Sequence, residues 1–405
     1  MQITRPEKVI HDIMVIGAGP AALSFARSMR HSGLQLTLFE QASEKSIAEP
    51  EYDGRDIALT HASRELLRDL DIWQQFDKSD ISPIDKASVV DGNSPYSLEF
   101  DSQKKSYDAL GFIISNHRIR KTLYEVTKNQ KNLSIVFDAR VAGIAKNDNG
   151  YQVNLDDGRS FVTKLLVAAD SRFSKTRSQA GISADINDFA RTAIVARMKH
   201  RATCERTAYE CFQYGHTLAV LPLGKDQSSV VVTANTDGAN QLLQLDDCAF
   251  SDFVSDNFDY KLGEMELVSK RFSYPLVGVH ARQFVKAHFA LIGDAAVGMH
   301  PVTAHGFNLG LNSAHLLARQ VINALDNGRD YASEAVLKGY QNRHIMETRA
   351  MYYGTNSVVK LFTEEHLPAK LARKLVLRIS NLLPPVKWAI EKKLTEIKPG
   401  HRSPV

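Results

Sequence analysis

Residues 12–40 read DIMVIGAGPAALSFARSMRHSGLQLTLFE, and this stretch decides the fold. Residues 12–16 are a short apolar run ending in glycines, which predicts a buried parallel strand. Helical spacing follows over residues 20–31, and a second strand is expected over 34–40, so the chain opens as a βαβ unit. Gly17, Gly19 and Ala22 stand in a G-x-G-x-x-A pattern between strand and helix. The first glycine permits a tight turn, the second lets a pyrophosphate approach the backbone, and the small third residue packs helix against strand. A phosphate would then rest on the helix N-terminus at Pro20, Ala21 and Ala22, where unpaired N–H groups favour an anion. Glu40 ends the second strand, where an acidic side chain can bind a ribose hydroxyl. Taken together these residues point to a dinucleotide, without separating FAD from NAD.

Outward from this unit the pattern alternates. Residues 52–63, YDGRDIALTHAS, read as a polar loop leading into a helix through Leu70. Short alternating runs over 79–110 suggest strands of a different sheet. A helix is expected over 117–127, and strands over 133–137, 151–155 and 165–169, with Asp156-Asp157-Gly158 as a hairpin turn. From about 188 to 275 the runs TAIVARM, TAYECFQY, TLAVLPL and SSVVVTA predict an antiparallel sheet, interrupted by one helix at 249–258. The α/β pattern resumes at Phe289, with a helix over 307–325 and helices from Ser333 onward.

Composition limits the function classes. The 405 residues are 43% apolar and 24% charged, as in an ordinary globular protein, and too long for one compact core. A net charge of +4 on a chain of this length argues against a nucleic-acid partner. Three cysteines, Cys204, Cys211 and Cys248, show no metal-ligand spacing and fit a reducing cytoplasm; no metal is expected. Neither a secretory leader nor an apolar run of membrane-spanning length is evident.

A second motif lies far along the chain. The strand 289–292 ends in Gly293-Asp294, and beyond it come His300, Pro301, His305 and Gly306-Phe307-Asn308 opening a helix. Asp294 is placed to accept hydrogen bonds from a ribityl chain or, alternatively, to cap a helix. The helix starting near Gly306 would aim its positive end at a flavin ring, stabilising the charge of the reduced form. His300 and His305 read either as flavin-side groups that tune its potential or take a phenol's proton, or as backbone-bonded structural histidines.

GAGPAA at 17–22, LLVAADSRFSKTR at 165–177 and LIGDAAVGMHPVTAHGFNLGL at 291–311 together resemble the FAD-dependent aromatic hydroxylases related to p-hydroxybenzoate hydroxylase. HTLAVLPLG at 216–224 and the 52–63 stretch are similar to the UbiH/UbiF/Coq-type monooxygenases of ubiquinone biosynthesis. Thr303-Ala304-His305 resembles the UbiM subgroup. Three positions depart from the family pattern: Asp170-Ser171 stands for Asp-Gly, Ala304-His305-Gly306 for Gly-Gln-Gly, and Val297 for the histidine of many relatives.

The resemblance implies an α/β fold. A Rossmann-like FAD-binding domain (residues 8–78, 106–187 and 276–345) is interleaved with an antiparallel β-sheet substrate domain (79–105 and 188–275). C-terminal helices follow over 346–405. By the same resemblance Asp170 lies near the FAD pyrophosphate, Arg55 approaches flavin or pyrophosphate, and Asn116 and Arg118 open a helix facing the cofactor. Capping, a solvated loop and surface charge are the respective alternatives. His300, Pro301 and His305 fall in the expected catalytic segment.

The implied chemistry is reduction of FAD by NAD(P)H, formation of a C4a-hydroperoxyflavin with O₂, and hydroxylation of a lipid-soluble polyprenylated phenol. Other aromatic substrates, or a flavin-binding scaffold without turnover, are the competing readings. Residues 368–383, PAKLARKLVLRISNLL, form a basic amphipathic pattern. It suits either a peripheral membrane contact of a cytoplasmic protein, within a ubiquinone-biosynthesis assembly, or packing on the protein's own core.

Overall fold

Strands buried on both faces need unbroken apolar runs, and three such runs lie side by side at the centre of this molecule. In the computed structural model, which describes residues 10–91, 97–103, 108–212, 215–299, 305–363 and 395–396, Ile13, Met14 and Val15 are fully buried. They belong to the strand Ile10–Ile16, flanked by Ser160–Ala168 on one side and Leu36–Phe39 on the other, all parallel. Leu133–Val136 and Phe289–Leu291 extend the parallel set outward. Among the described residues the sheet has eight strands, and Ile10–Ile16 sits where the strand order reverses. In doubly wound sheets ligands bind at the carboxyl ends of the strands beside such a switch point.

Helices Pro20–Ser28 and His305–Asp326 pack together on the sheet. Phe25, Phe39 and Phe289 lie fully inside this core, and each buried ring stabilises it by about 1.5–3 kcal/mol. The helix Glu334–Thr363 closes the outer edge, where the buried Tyr340 hydroxyl donates to Leu291 O at 2.7 Å.

A second sheet of nine strands forms the other lobe among the described residues. Lys86–Asp91 and Ser97–Asp101 join it, as expected from their alternation, and Lys86–Asp91 runs parallel to Thr207–Phe212. One face is covered by Thr236–Gln244 and Asp247–Asn257. Only the second of these helices is expected from the sequence; the first begins on an Asn235 cap that accepts from Gly238 N–H. Ala184–His200 and Phe272–Ala281 are long strands whose pairing runs from Ala184 with Ala281 to Val195 with Phe272, its register shifting between Asp188 and Thr192.

The polar stretch 52–63 is not simply a loop. Asp56–Leu59 is a strand paired with Gly111–Ser115, because Ile57, Ala58 and Leu59 find an apolar partner distant in sequence. Ser82–Ile84 completes this three-stranded sheet, which lies between the lobes. Among the described residues no helix is long and apolar enough to cross a membrane. The amphipathic segment 368–383 lies outside them.

Candidate cofactor and active site

Four strand ends converge at the switch point. Gly17 takes φ +101°, and a Cβ there would stand 2.6 Å from Ala169 O at the end of the neighbouring strand, so the turn admits glycine alone. The Glu40 carboxylate accepts from Ala18 N–H at 2.7 Å and from Ala42 N–H at 2.9 Å, which ties the glycine turn to the second strand. Gly293 approaches so closely that a Cβ would meet the Ala21 Cβ at 2.8 Å. The two glycine motifs, far apart in sequence, are therefore in contact. Ser313 holds the second loop in place, its hydroxyl accepting from Gly293 N–H and donating to Gly310 O.

This arrangement fits a pyrophosphate and ribose. The helix Pro20–Ser28 has Gly19 at its N-cap with no capping side chain and no acidic residue in its first turn, although both features are common there. A Cβ on Gly19 would meet nothing within 4 Å, and the same holds for Gly306. The helix His305–Asp326 likewise lacks an acidic residue in its first turn.

Asp294 donates nothing and accepts from the Arg172 guanidinium at 3.1 Å; burial pushes its carboxyl above the usual range while Arg172 and Arg55 oppose the shift. Arg177 is buried, and its guanidinium donates to Arg172 O and Ala295 O, bracing the two loops. Asp170 accepts from Ser174 Oγ and from both the N–H and hydroxyl of Thr176, while Ser174 itself is the N-cap of Lys175–Gln179 and accepts from Arg177 N–H. Ser171 holds φ +78°, the left-handed conformation for which glycine is the natural choice.

A second node gathers Arg55 and Asn116. Both donate to the Asp53 carboxylate, at 2.5 Å from Arg55 Nη2 and 2.7 Å from Asn116 Nδ2. Burial raises the Asp53 carboxyl, but these two donors outweigh it and hold it below the usual range. Arg118 instead pairs with Asp80 at the surface. Asn308 is buried and uses its amide on backbone, donating to Ala58 O and accepting from Thr60 N–H. His305 is buried at the start of its helix, and Phe307 packs against the main core. His300 and Pro301 lie outside the described residues.

The third node was not anticipated from sequence. The Asp56 side chain is wholly buried and accepts from Arg197 Nη2 at 2.8 Å and Ser115 Oγ at 2.6 Å. The Arg197 guanidinium also lies over the Tyr52 ring, 4.8 Å from its centroid, and Tyr52 meets His117 and Phe272 edge-on. Tyr52 Oη, Asp56 Oδ2, His117 Nδ1 and Arg197 Nε are buried without a hydrogen-bond partner among the described residues. Burial pushes the Tyr52 hydroxyl up to about 12 and the His117 imidazole down. The available signal was a charged residue, Arg197, on the same strand face as Val195 in TAIVARM.

Comparisons with known proteins bear on the site. A family model described as an FAD binding domain matches residues 11–351. Ubiquinone hydroxylase UbiM of Neisseria meningitidis is 47% identical over 388 residues, covering 95% of this chain and 84% of that protein. Ubiquinone hydroxylase UbiL of Rhodospirillum rubrum is 29% identical over 385 residues, covering 95% and 89%. The crystal structure of p-nitrophenol 4-monooxygenase PnpA from Pseudomonas putida superposes with a TM-score of 0.76 at 16% identity, over 96% of this chain and 99% of that one, a likeness of fold.

Proposed function

This chain belongs to the FAD-binding-domain family, in its ubiquinone-hydroxylase branch, and is an FAD-dependent aromatic monooxygenase; from that premise we propose that it hydroxylates a polyprenylated phenol or related quinol precursor of ubiquinone. The observation that carries the reading is the contact between Gly293 and Ala21, which unites the two glycine motifs at one switch point. Bound FAD, reduced by NAD(P)H and reacting with O₂, supplies the oxygen transfer.

The residues divide the remaining work. The uncapped helix end at Gly19, Pro20, Ala21 and Ala22 binds the pyrophosphate, and Glu40 takes the ribose hydroxyls. Asp294, steadied by Arg172, accepts from the ribityl hydroxyls. The first turn of His305–Asp326, with Gly306 and Phe307, would turn its positive end to a bound flavin and stabilise the charge of the reduced form. Asn308 fixes that helix against the strand Asp56–Leu59, and Arg55 and Asn116 stand ready to exchange Asp53 for cofactor oxygens. The nine-stranded sheet roofs the site and keeps water from the reacting ring.

A lipid-soluble substrate suits work at the cytoplasmic face of a membrane, with the basic segment 368–383 as the contact and other ubiquinone-biosynthesis proteins as partners. Sedimentation with anionic vesicles, with and without that segment, tests the contact. Lipid analysis of cells lacking the gene tests the activity. Accumulation of an under-hydroxylated prenylphenol is expected, and an unchanged quinone pool would reject the assignment.

A further inference from the structure

Side chains of the strand Thr207–Phe212 alternate between two environments. Cys211 lies in the core under the covering helices, with Leu218, Val220 and Val232, and Tyr209 packs against it. Ala208 and Phe212 belong to a different apolar cluster, shared with Ile84, Ile113 and Ala58 of the small sheet between the lobes. Glu210 stands between Ala208 and Phe212 on that second face, and its register partners are Ala219 and Val89. It makes no hydrogen bond or ion pair among the described residues. A carboxyl group set in an apolar wall without a partner is costly for folding, and such groups concentrate where chemistry is done.

What lies across from that wall gives the group its use. Ala58 O accepts from Asn308 on the helix His305–Asp326, whose first turn would face the bound cofactor on the reading given above. Glu210 thus lies on the roof-sheet face that packs toward the small sheet, whose strand Asp56–Leu59 is tied to that helix. On the aromatic-hydroxylase reading just given, we propose that Glu210 accepts the proton of the substrate's phenolic hydroxyl. The phenol O–H bond breaks, the proton bonds to a Glu210 carboxylate oxygen, and the electron pair stays on the substrate oxygen. Delocalised into the ring, that pair enriches the carbons that take up oxygen.

Burial pushes the Glu210 carboxyl up to about 8. A free phenol ionises near pH ~10 and an ordinary glutamate near ~4.3, so the uphill proton transfer shrinks from about six decades to about two. Several nearby ionisable groups have partners of their own, while Asp56 Oδ2 and Asp85 Oδ1 have none among the described residues. Lys86 pairs with Glu205, His216 bonds Asn257, Asp56 pairs with Arg197, and Asp85 faces Arg206. Cys211, next in the chain, senses Glu210 and is itself pushed up to about 11, chiefly by burial.

The test uses FAD-loaded enzyme with NAD(P)H and a short-chain prenylphenol, following product formation against pH. Wild-type turnover should rise to a plateau with a midpoint near 8, the carboxylate being the active form. E210Q should retain its FAD, lose that rising limb and turn over about 100-fold more slowly. E210D should restore part of the rate with a displaced midpoint, and it decides the matter should E210Q fail to fold. E210Q within about threefold of wild type would overturn the inference alone, as would loss of FAD in both variants. A wild-type enzyme that oxidises NAD(P)H but hydroxylates no phenol would overturn the parent reading, and this inference with it.

Discussion

The cofactor end of the molecule and the junction beneath the roof treat buried polarity in opposite ways. At the cofactor end Glu40 and Asp170 each have their carboxylate oxygens answered by backbone or hydroxyl donors. At the junction, Tyr52, Asp56, His117 and Arg197 each leave a buried atom unanswered among the described residues, and Glu210 stands between the apolar Ala208 and Phe212. Satisfied polar groups make a rigid mould for a ligand that stays. Unsatisfied ones store cost that an exchanging substrate or water can relieve.

The largest expected effect breaks the mould. Gly17→Ala sets a methyl 2.6 Å from Ala169 O at a left-handed φ, so bound FAD should fall by more than about tenfold, measured as flavin absorbance per protein after dialysis. At the junction, Asp56→Ala strips the partner from Arg197, whose side chain keeps only 26% of its surface exposed. It should cost about 3 kcal/mol in urea unfolding, whereas Asp56→Asn, which retains an acceptor, should cost less.

Glu210 sharpens the contrast through pH. Its folded pKa is raised above the ordinary 4.5 to about 8, so stability is full below the lower value and is lost as pH rises through the upper one. E210Q should therefore melt at a higher temperature than wild type near about pH 9 and match it near about pH 4. The smallest effect has the opposite sign to the first. Ser171→Gly relieves a left-handed φ at the Asp170 turn and should stabilise by about 0.5–1 kcal/mol.

Why one region could be read from sequence and the other could not follows from the range of their contacts. Gly17 turns the chain between strand and helix at a positive φ, so spacing exposed it, although the Ala169 O that a Cβ would strike lies far along the chain. The contact of Gly293 with Ala21 spans most of the chain, but each side carried its own recognisable strand end and helix start. Arg197 meets Asp56 across 141 residues, and nothing in TAIVARM names the partner. Glu210 lies on the face of Ala208 and Phe212 with Ala219 and Val89 as register partners, and a shift of one residue would turn it into the opposite core. Asp56–Leu59 read as loop because its three apolar residues are too few to signal a strand until Gly111–Ser115 pairs with them. Asp170 carried two readings; its bonds to Ser174 and Thr176 brace the start of Lys175–Gln179, whose N-cap is Ser174.

FAD affinity in two glycine variants tests most directly whether both distant loops build one cofactor site. Gly293 and Gly33 both have positive φ, but only Gly293 presses on Ala21; around Gly33 a Cβ would meet nothing within 4 Å. The account predicts that Gly293→Ala weakens FAD binding by at least about tenfold, while Gly33→Ala, strained alike, binds FAD as wild type does. Equal affinities in the two variants would contradict it.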